Sequence, residues 1–150
     1  MKKITALFSG MIALVAVNAQ TVKEADVPAA VKSAFNTKYP NTKVEKWEKE
    51  GANFEAEFHA NKVETCAVFD GAGTFLESEI EIKTSALPKS VSDYVTKNMP
   101  GKKIKEASKI TTAGGKVSYE AEIDDAYYMF DDQGNFIGKE TETDKKDDKD

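Results

Sequence analysis

Carboxylates at alternate positions are the first feature of this sequence that bears on chemistry. Glu55 and Glu57 lie in Phe54-Glu55-Ala56-Glu57-Phe58, and Glu120 and Glu122 in Tyr119-Glu120-Ala121-Glu122-Ile123. Acids two residues apart share one face of a β-strand. Such pairs serve acid–base catalysis or cation binding. They also serve simply as a solvated strand face, partly matched here by Lys46 and Lys109, and that is the reading adopted.

Two further motifs invite a metal. Asp70-Gly71-Ala72-Gly73 and Asp131-Asp132-Gln133-Gly134 both begin with Asp and end with Gly. A calcium loop needs several oxygens at alternate positions and a distal bidentate acid, which neither stretch supplies. Asp opening a turn and Gly closing it at positive φ explain both. Cys66 is the only cysteine and His59 the only histidine. Their spacing matches no nucleophile–base pattern, so Cys66 is expected to be a small buried hydrophobe and His59 an exposed residue. No Ser-His-Asp set, zinc spacing or phosphate-cradling Gly loop is present. The expectation is therefore no catalytic residue, no metal ligand set and no cofactor.

The elements that carry these residues occur twice. Pro28 opens and Pro40 closes a helical stripe of Val27, Val31 and Phe35, giving a helix over about Asp26 to Lys38. Pro88 and Pro100 bracket Leu87, Val91, Val95 and Met99 at the same offset of 60 (88 − 28 and 100 − 40). Each helix leads into four strands. The first set is roughly Lys43–Lys49, Asn53–His59, Lys62–Phe69 and Thr74–Ile82. The second is roughly Lys103–Thr111, Lys116–Ile123, Ala126–Asp131 and Asn135–Glu142. Tight links make successive strands antiparallel. The expected fold is α+β: two tandem αββββ repeats, 26–82 and 83–142, forming one antiparallel sheet with both helices on one face. Gln20–Ala25 reads as a short leader, and 143–150 as a charged, disordered tail.

Two-residue turns then assign faces. Gly51-Ala52 pairs Trp47 with Ala56, and Ala60-Asn61 pairs Phe58 with Val63. Gly114-Gly115 pairs Ile110 with Tyr119, and Asp124-Asp125 pairs Ala121 with Tyr128. One face gathers Trp47, Phe54, Ala56, Phe58, Val63, Ala67 and Phe69, then Ile110, Tyr119, Ala121, Ile123, Tyr128 and Phe130. This is the core face. The other gathers Lys46, Glu55, Glu57, Glu64, Cys66 and Val68, then Lys109, Glu120, Glu122, Tyr127 and Met129. Alternation of Leu76, Ile80 and Ile82 inward sends Phe75 outward, and Phe136 with it. An apolar strip of Val68, Phe75, Tyr127, Met129 and Phe136, rimmed by carboxylates on an open sheet face, is the expected partner-binding surface.

The N-terminus reads as an export signal over 1–19: Lys2 and Lys3, an apolar run from Ile4 to Val17, and Val17-Asn18-Ala19 as the cleavage site. The run is short of the ~20 residues a membrane span needs, so no membrane association is expected after cleavage. Removing 1–19 leaves 21 − 2 = 19 basic against 26 acidic residues, a balance of −7 that argues against a nucleic-acid partner.

A Pro-opened helix followed by Phe-Glu-Ala-Glu-Phe and then Val68-Phe69-Asp70-Gly71-Ala72-Gly73-Thr74-Phe75, echoed by Met129-Phe130-Asp131-Asp132-Gln133-Gly134-Asn135-Phe136, resembles the PepSY-like family of small exported proteins. Two such units in tandem are similar to the architecture of the secreted β-lactamase inhibitory protein. That protein holds disulfides and binds through loop residues with no match here, so lactamase inhibition does not carry over. The resemblance implies a fold that carries grafted surfaces. The function expected is an exported, periplasmic or secreted, non-catalytic binding or inhibitory module for an unidentified protein or peptide. The alternative is a cation or small-ligand binding protein using the acidic face.

Overall fold

A computed structural model describes residues 19–141. The export signal and the charged tail therefore fall outside the described residues, apart from Ala19. The fold is α+β. Strand β1 is Gln20–Val22, helix α1 Ala29–Lys38, and β2 to β5 are Val44–Glu50, Asn53–Ala60, Val63–Asp70 and Phe75–Ile82. Helix α2 is Lys89–Asn98, and β6 to β9 are Glu106–Thr112, Val117–Ile123, Ala126–Asp131 and Phe136–Thr141. The strands are antiparallel and follow sequence order, β1 to β9. The chain forms two compact units, one ending at Glu79 and the other starting at Ile80.

The prolines act as their spacing predicts. Pro28 and Pro88 cap α1 and α2 in extended geometry, where the missing N–H costs no helical bond. A single turn of 3-10 helix precedes each, over Glu24–Asp26 and Thr84–Ala86. The helices thus begin one to three residues later than the stripes suggest. The leader is a correction: Gln20–Val22 is a strand on the edge of β2, with Val22 opposite Trp47.

In unit 1, α1 covers the first sheet face. Val27, Val31 and Phe35 pack onto Trp47, Phe54, Ala56, Phe58, Ala67 and Phe69. Phe35 sits at the centre, edge-on to Trp47, Phe58 and Phe69 with centroid distances of 5.8, 5.0 and 6.4 Å. Edge-to-face packing of this kind adds to area burial. In unit 2, α2 covers the first face likewise, with Leu87, Val91 and Tyr94 against Ala121, Phe130, Ile104, Tyr119 and Tyr128.

The Asp-x-x-Gly motifs dock the last hairpin of each unit beneath its helix. Asp70 Oδ1 accepts from the Ala72 and Thr74 amides at 2.9 and 2.8 Å, and Asp131 Oδ1 does the same with Gln133 and Asn135. Gly73 (φ +87°) and Gly134 (φ +79°) close the turns. A Cβ on Gly73 would lie 2.6 Å from the Ala30 carbonyl oxygen, and one on Gly134 would run into Ser90 Oγ. The Ser90 hydroxyl donates to the Gln133 carbonyl at 2.5 Å. The loops are structural turns pressed against the first turn of a helix.

Registers are partly as read. Trp47 faces Ala56 and Ala121 faces Tyr128. Phe58 faces Thr65 rather than Val63, because Asn61 and Lys62, both at positive φ, form the turn. A slip of two keeps every side chain on its face. In β6, however, Lys109 rather than Ile110 faces Tyr119. Gly115 N donates to Thr112 O, so the loop holds three residues, not two. This slip of one moves Ile110 to the second face, where it is 1% exposed, and Lys109 to the first.

Candidate functional site

The second face of unit 1 concentrates charge. Strand β2 supplies Lys46 and Glu48, β3 Glu55 and Glu57, β4 Cys66 and Val68, and β5 Leu76, Glu77 and Glu79. Pairing sets Lys46 opposite Glu57, Glu48 opposite Glu55, Glu55 opposite Val68, and Glu57 opposite Cys66. Lys46 Nζ lies 2.7 Å from Glu48 Oε1 and 2.8 Å from Glu57 Oε1. Cys66 and Val68 form a small apolar cluster with Leu76 beside these carboxylates.

The acids are not solvated as their alternation suggests. Glu55, Glu77, Glu79 and, in unit 2, Glu120 are all buried. Burial holds the Glu55 carboxyl well above its ordinary range, and the charges of Glu79, Glu48 and Glu57 push the same way. Burial followed by the Glu50 charge lifts Glu77 to about 7. Burial also raises Glu57, against the pull of Lys46. For Lys46 burial acts downward, but the contacts with Glu48 and Glu57 outweigh it and the net shift is upward. Burial, then the Glu55 charge, drives the Cys66 thiol far upward. Cys66 is a buried thiol rather than a nucleophile. His59 is exposed, with Nδ1 2.7 Å from Glu45 Oε1.

The expected apolar strip does not assemble. Phe75 packs on the first face, 5.7 Å from Phe69, with the Lys38 ammonium 3.8 Å above its ring. Phe136 stacks on Tyr94 of α2 at 4.9 Å and 11°. Both were expected outward, and both lie on the helix side. The cause is a β-bulge, which inserts a residue and breaks alternation. In β9, Phe136 faces Phe130 while Gly138 faces Met129, leaving Ile137 as the extra residue. In β5, Phe75 joins the α1 core and Leu76 the Cys66 cluster, yet Ser78 bonds with Tyr39 of the α1 side. One extra residue between 75 and 78 accounts for this, at the place equivalent to the β9 bulge.

Val68 in unit 1, and Tyr127 and Met129 in unit 2, do occupy the second face, opposite Glu55, Glu122 and Glu120. The face is less open than expected: Val68 is 5% and Met129 6% exposed, while Tyr127 is half-buried. Strand β4 is buried on both sides from Thr65 to Phe69. The reachable part is the polar rim, where Lys46, Glu48 and Glu57 keep side-chain exposures of 28, 17 and 18%. Sequence reading missed Glu77, Glu79 and Leu76 here. The bulge hid them, though Glu77-Ser78-Glu79 repeats the spacing of Glu55 and Glu57.

A helix and four or five antiparallel strands, repeated, with a shared Asp-x-x-Gly-x-Phe hairpin, define a tandem α+β module. The sequence matches the beta-lactamase-inhibitor-like, PepSY-like family over residues 10–77 and again over 52–138. The chain belongs to that family, and the two overlapping matches agree with the repeat. No match was found among curated proteins. Among solved structures, a protein from Bacteroides eggerthii described as periplasmic is similar at 14% identity and a TM-score of 0.70, covering 81% of this chain and 93% of that one. A DUF2874 family protein from Bacteroides uniformis is similar at 18% identity and a TM-score of 0.67, covering 76% and 88%. A BLIP-like protein from Bacteroides fragilis is similar at 19% identity and a TM-score of 0.62, covering 77% and 87%. At these identities the likeness is one of fold. No helix among the described residues is long and apolar enough to cross a membrane.

Proposed function

We propose that the chain is an exported, non-catalytic module that recognises a basic protein or peptide on the second sheet face of unit 1. The observation that carries this is the gathering of Glu48, Glu55, Glu57, Glu77 and Glu79 on one face, beside the ammonium of Lys46. A partner's Lys or Arg brought to this rim gains charge-assisted hydrogen bonds to half-buried carboxylates. Export follows from the leader-like N-terminus and fits the periplasmic description of one protein of similar fold. Burial holds the Cys66 thiol far above its ordinary range, which argues against a nucleophilic role for it.

A photo-crosslinking side chain at Glu64, on the second face, should yield a protein adduct in periplasmic extract. The same group at Asn36, on the outer side of α1, should not. Glu57→Lys should abolish the Glu64 adduct. Adducts only from Asn36, or adducts from Glu64 indifferent to Glu57→Lys, would reject the surface.

A further inference from the structure

On the helix side of unit 1, a cleft of about 420 Å³ opens where α1, the loop after it and β2 meet. That volume is typical of small-molecule sites. Its apolar wall is Phe35, Val44 and Trp47. Phe35 and Trp47 are core residues, 2% and 5% exposed, so the wall is fixed in advance by packing. Val44 reaches it through a bulge in β2. Val44 faces Phe58 while Lys46 faces Glu57, which leaves Glu45 as the extra residue and turns Val44 to the first face. The rim is polar and carries Lys32, Lys43 and Glu24. Lys32 Nζ donates to the Glu24 carbonyl oxygen at 3.1 Å, which holds the ammonium at the rim. An ammonium has three donors, so two remain for a ligand. Two bases against one acid leave the rim at 2 − 1 = +1, in a chain whose overall balance is negative.

The duplicated architecture does not demand this arrangement. At the offset of 60 that relates the prolines, Lys32 corresponds to Ser92, Glu24 to Thr84 and Trp47 to Ala107. The turns and helix stripes recur in both units, whereas the cleft's aromatic wall and its charges belong to unit 1. We propose that this cleft binds a small monocarboxylate with an apolar or aromatic body. Lys32 and Lys43 hold the carboxylate by charge-assisted hydrogen bonds, and Phe35, Val44 and Trp47 receive the body. A net charge of +1 matches a single negative charge. The volume excludes a protein partner, which needs roughly 800 Å² of surface on each side. The site is independent of the partner-binding reading, which uses the second face and attracts cations.

Trp47 is the only tryptophan in the chain, so its emission and its indole N–H resonance both report on the wall. The test is titration of sodium 4-phenylbutyrate into the full chain, with 4-phenylbutyramide as the uncharged counterpart. Both Trp47 signals should change saturably, with half-saturation at about 1–5 mM for a ligand of this size. The amide should bind more weakly. Lys32→Gln and Lys43→Gln should each weaken carboxylate binding roughly twofold to fivefold, and Glu24→Gln should tighten it by a similar factor. Three results would each overturn the proposal: neither Trp47 signal saturating with 4-phenylbutyrate, the amide binding as tightly as the acid, or both lysine variants binding as the parent does.

Discussion

Replacing Glu77 with Gln should flatten the pH dependence of stability. Glu77 is 6% exposed, and burial with the nearby Glu50 charge lifts it to about 7 from an ordinary 4.5. A carboxyl raised on folding binds its proton more tightly in the folded state than in the unfolded chain. Its contribution is therefore most favourable below about pH 4.5 and is lost as pH rises through about 7. Between pH 5 and 8 the two values imply a loss of at most about 2.5 kcal/mol, from 1.36 kcal/mol per unit. Residual solvent screening at a strand rim reduces this to about 1–2 kcal/mol. Gln keeps the shape and never ionises. Urea unfolding at pH 5, 6, 7 and 8 should show Glu77→Gln gaining about 1–2 kcal/mol on the parent at pH 8 and little at pH 5. Parallel curves for the two proteins, with no convergence at low pH, would refute the buried-carboxyl account.

Phe35→Ala empties the centre of the unit 1 core, where Phe35 is 2% exposed, and should cost about 3–5 kcal/mol in urea unfolding. Gly73→Ala places a methyl group 2.6 Å from the Ala30 carbonyl oxygen at a φ of +87°, and a loss of about 1–3 kcal/mol is expected by thermal melting. Cys66 is fully buried with a strongly raised thiol. An aromatic disulfide reagent should therefore leave it unmodified in the folded protein and label it fully in guanidinium.

The duplicated architecture was legible because its signals are local. Prolines at matched offsets, apolar stripes at helical spacing and Asp-x-x-Gly turns each act within a few residues, and each formed as read. The candidate face was legible only where alternation ran unbroken. Val68, Glu55 and Glu57 were placed correctly from β3 and β4, and Tyr127 and Met129 from β8. Phe75 and Phe136 were not, because a bulge adds one residue without any composition mark, and one residue reverses a strand. Ile110 and Lys109 exchanged faces for a related reason: a Gly-Gly pair fits a two-residue or a three-residue loop equally well. Burial of Glu55 was beyond sequence reading altogether, since strand patterns show facing but not how deep a side chain lies.

On the proposed reading, the carboxylate-bearing face of unit 1, not its helix, receives a cationic partner. Amide chemical-shift mapping with an arginine-rich peptide tests it most directly. Dose-dependent shifts are expected at Glu48, Glu55, Glu57 and Glu77, with Asn36 and Thr37 of α1 unmoved and the shifts lost in Glu57→Lys. Shifts centred on α1, or none on β2 and β3 at saturating peptide, would contradict it.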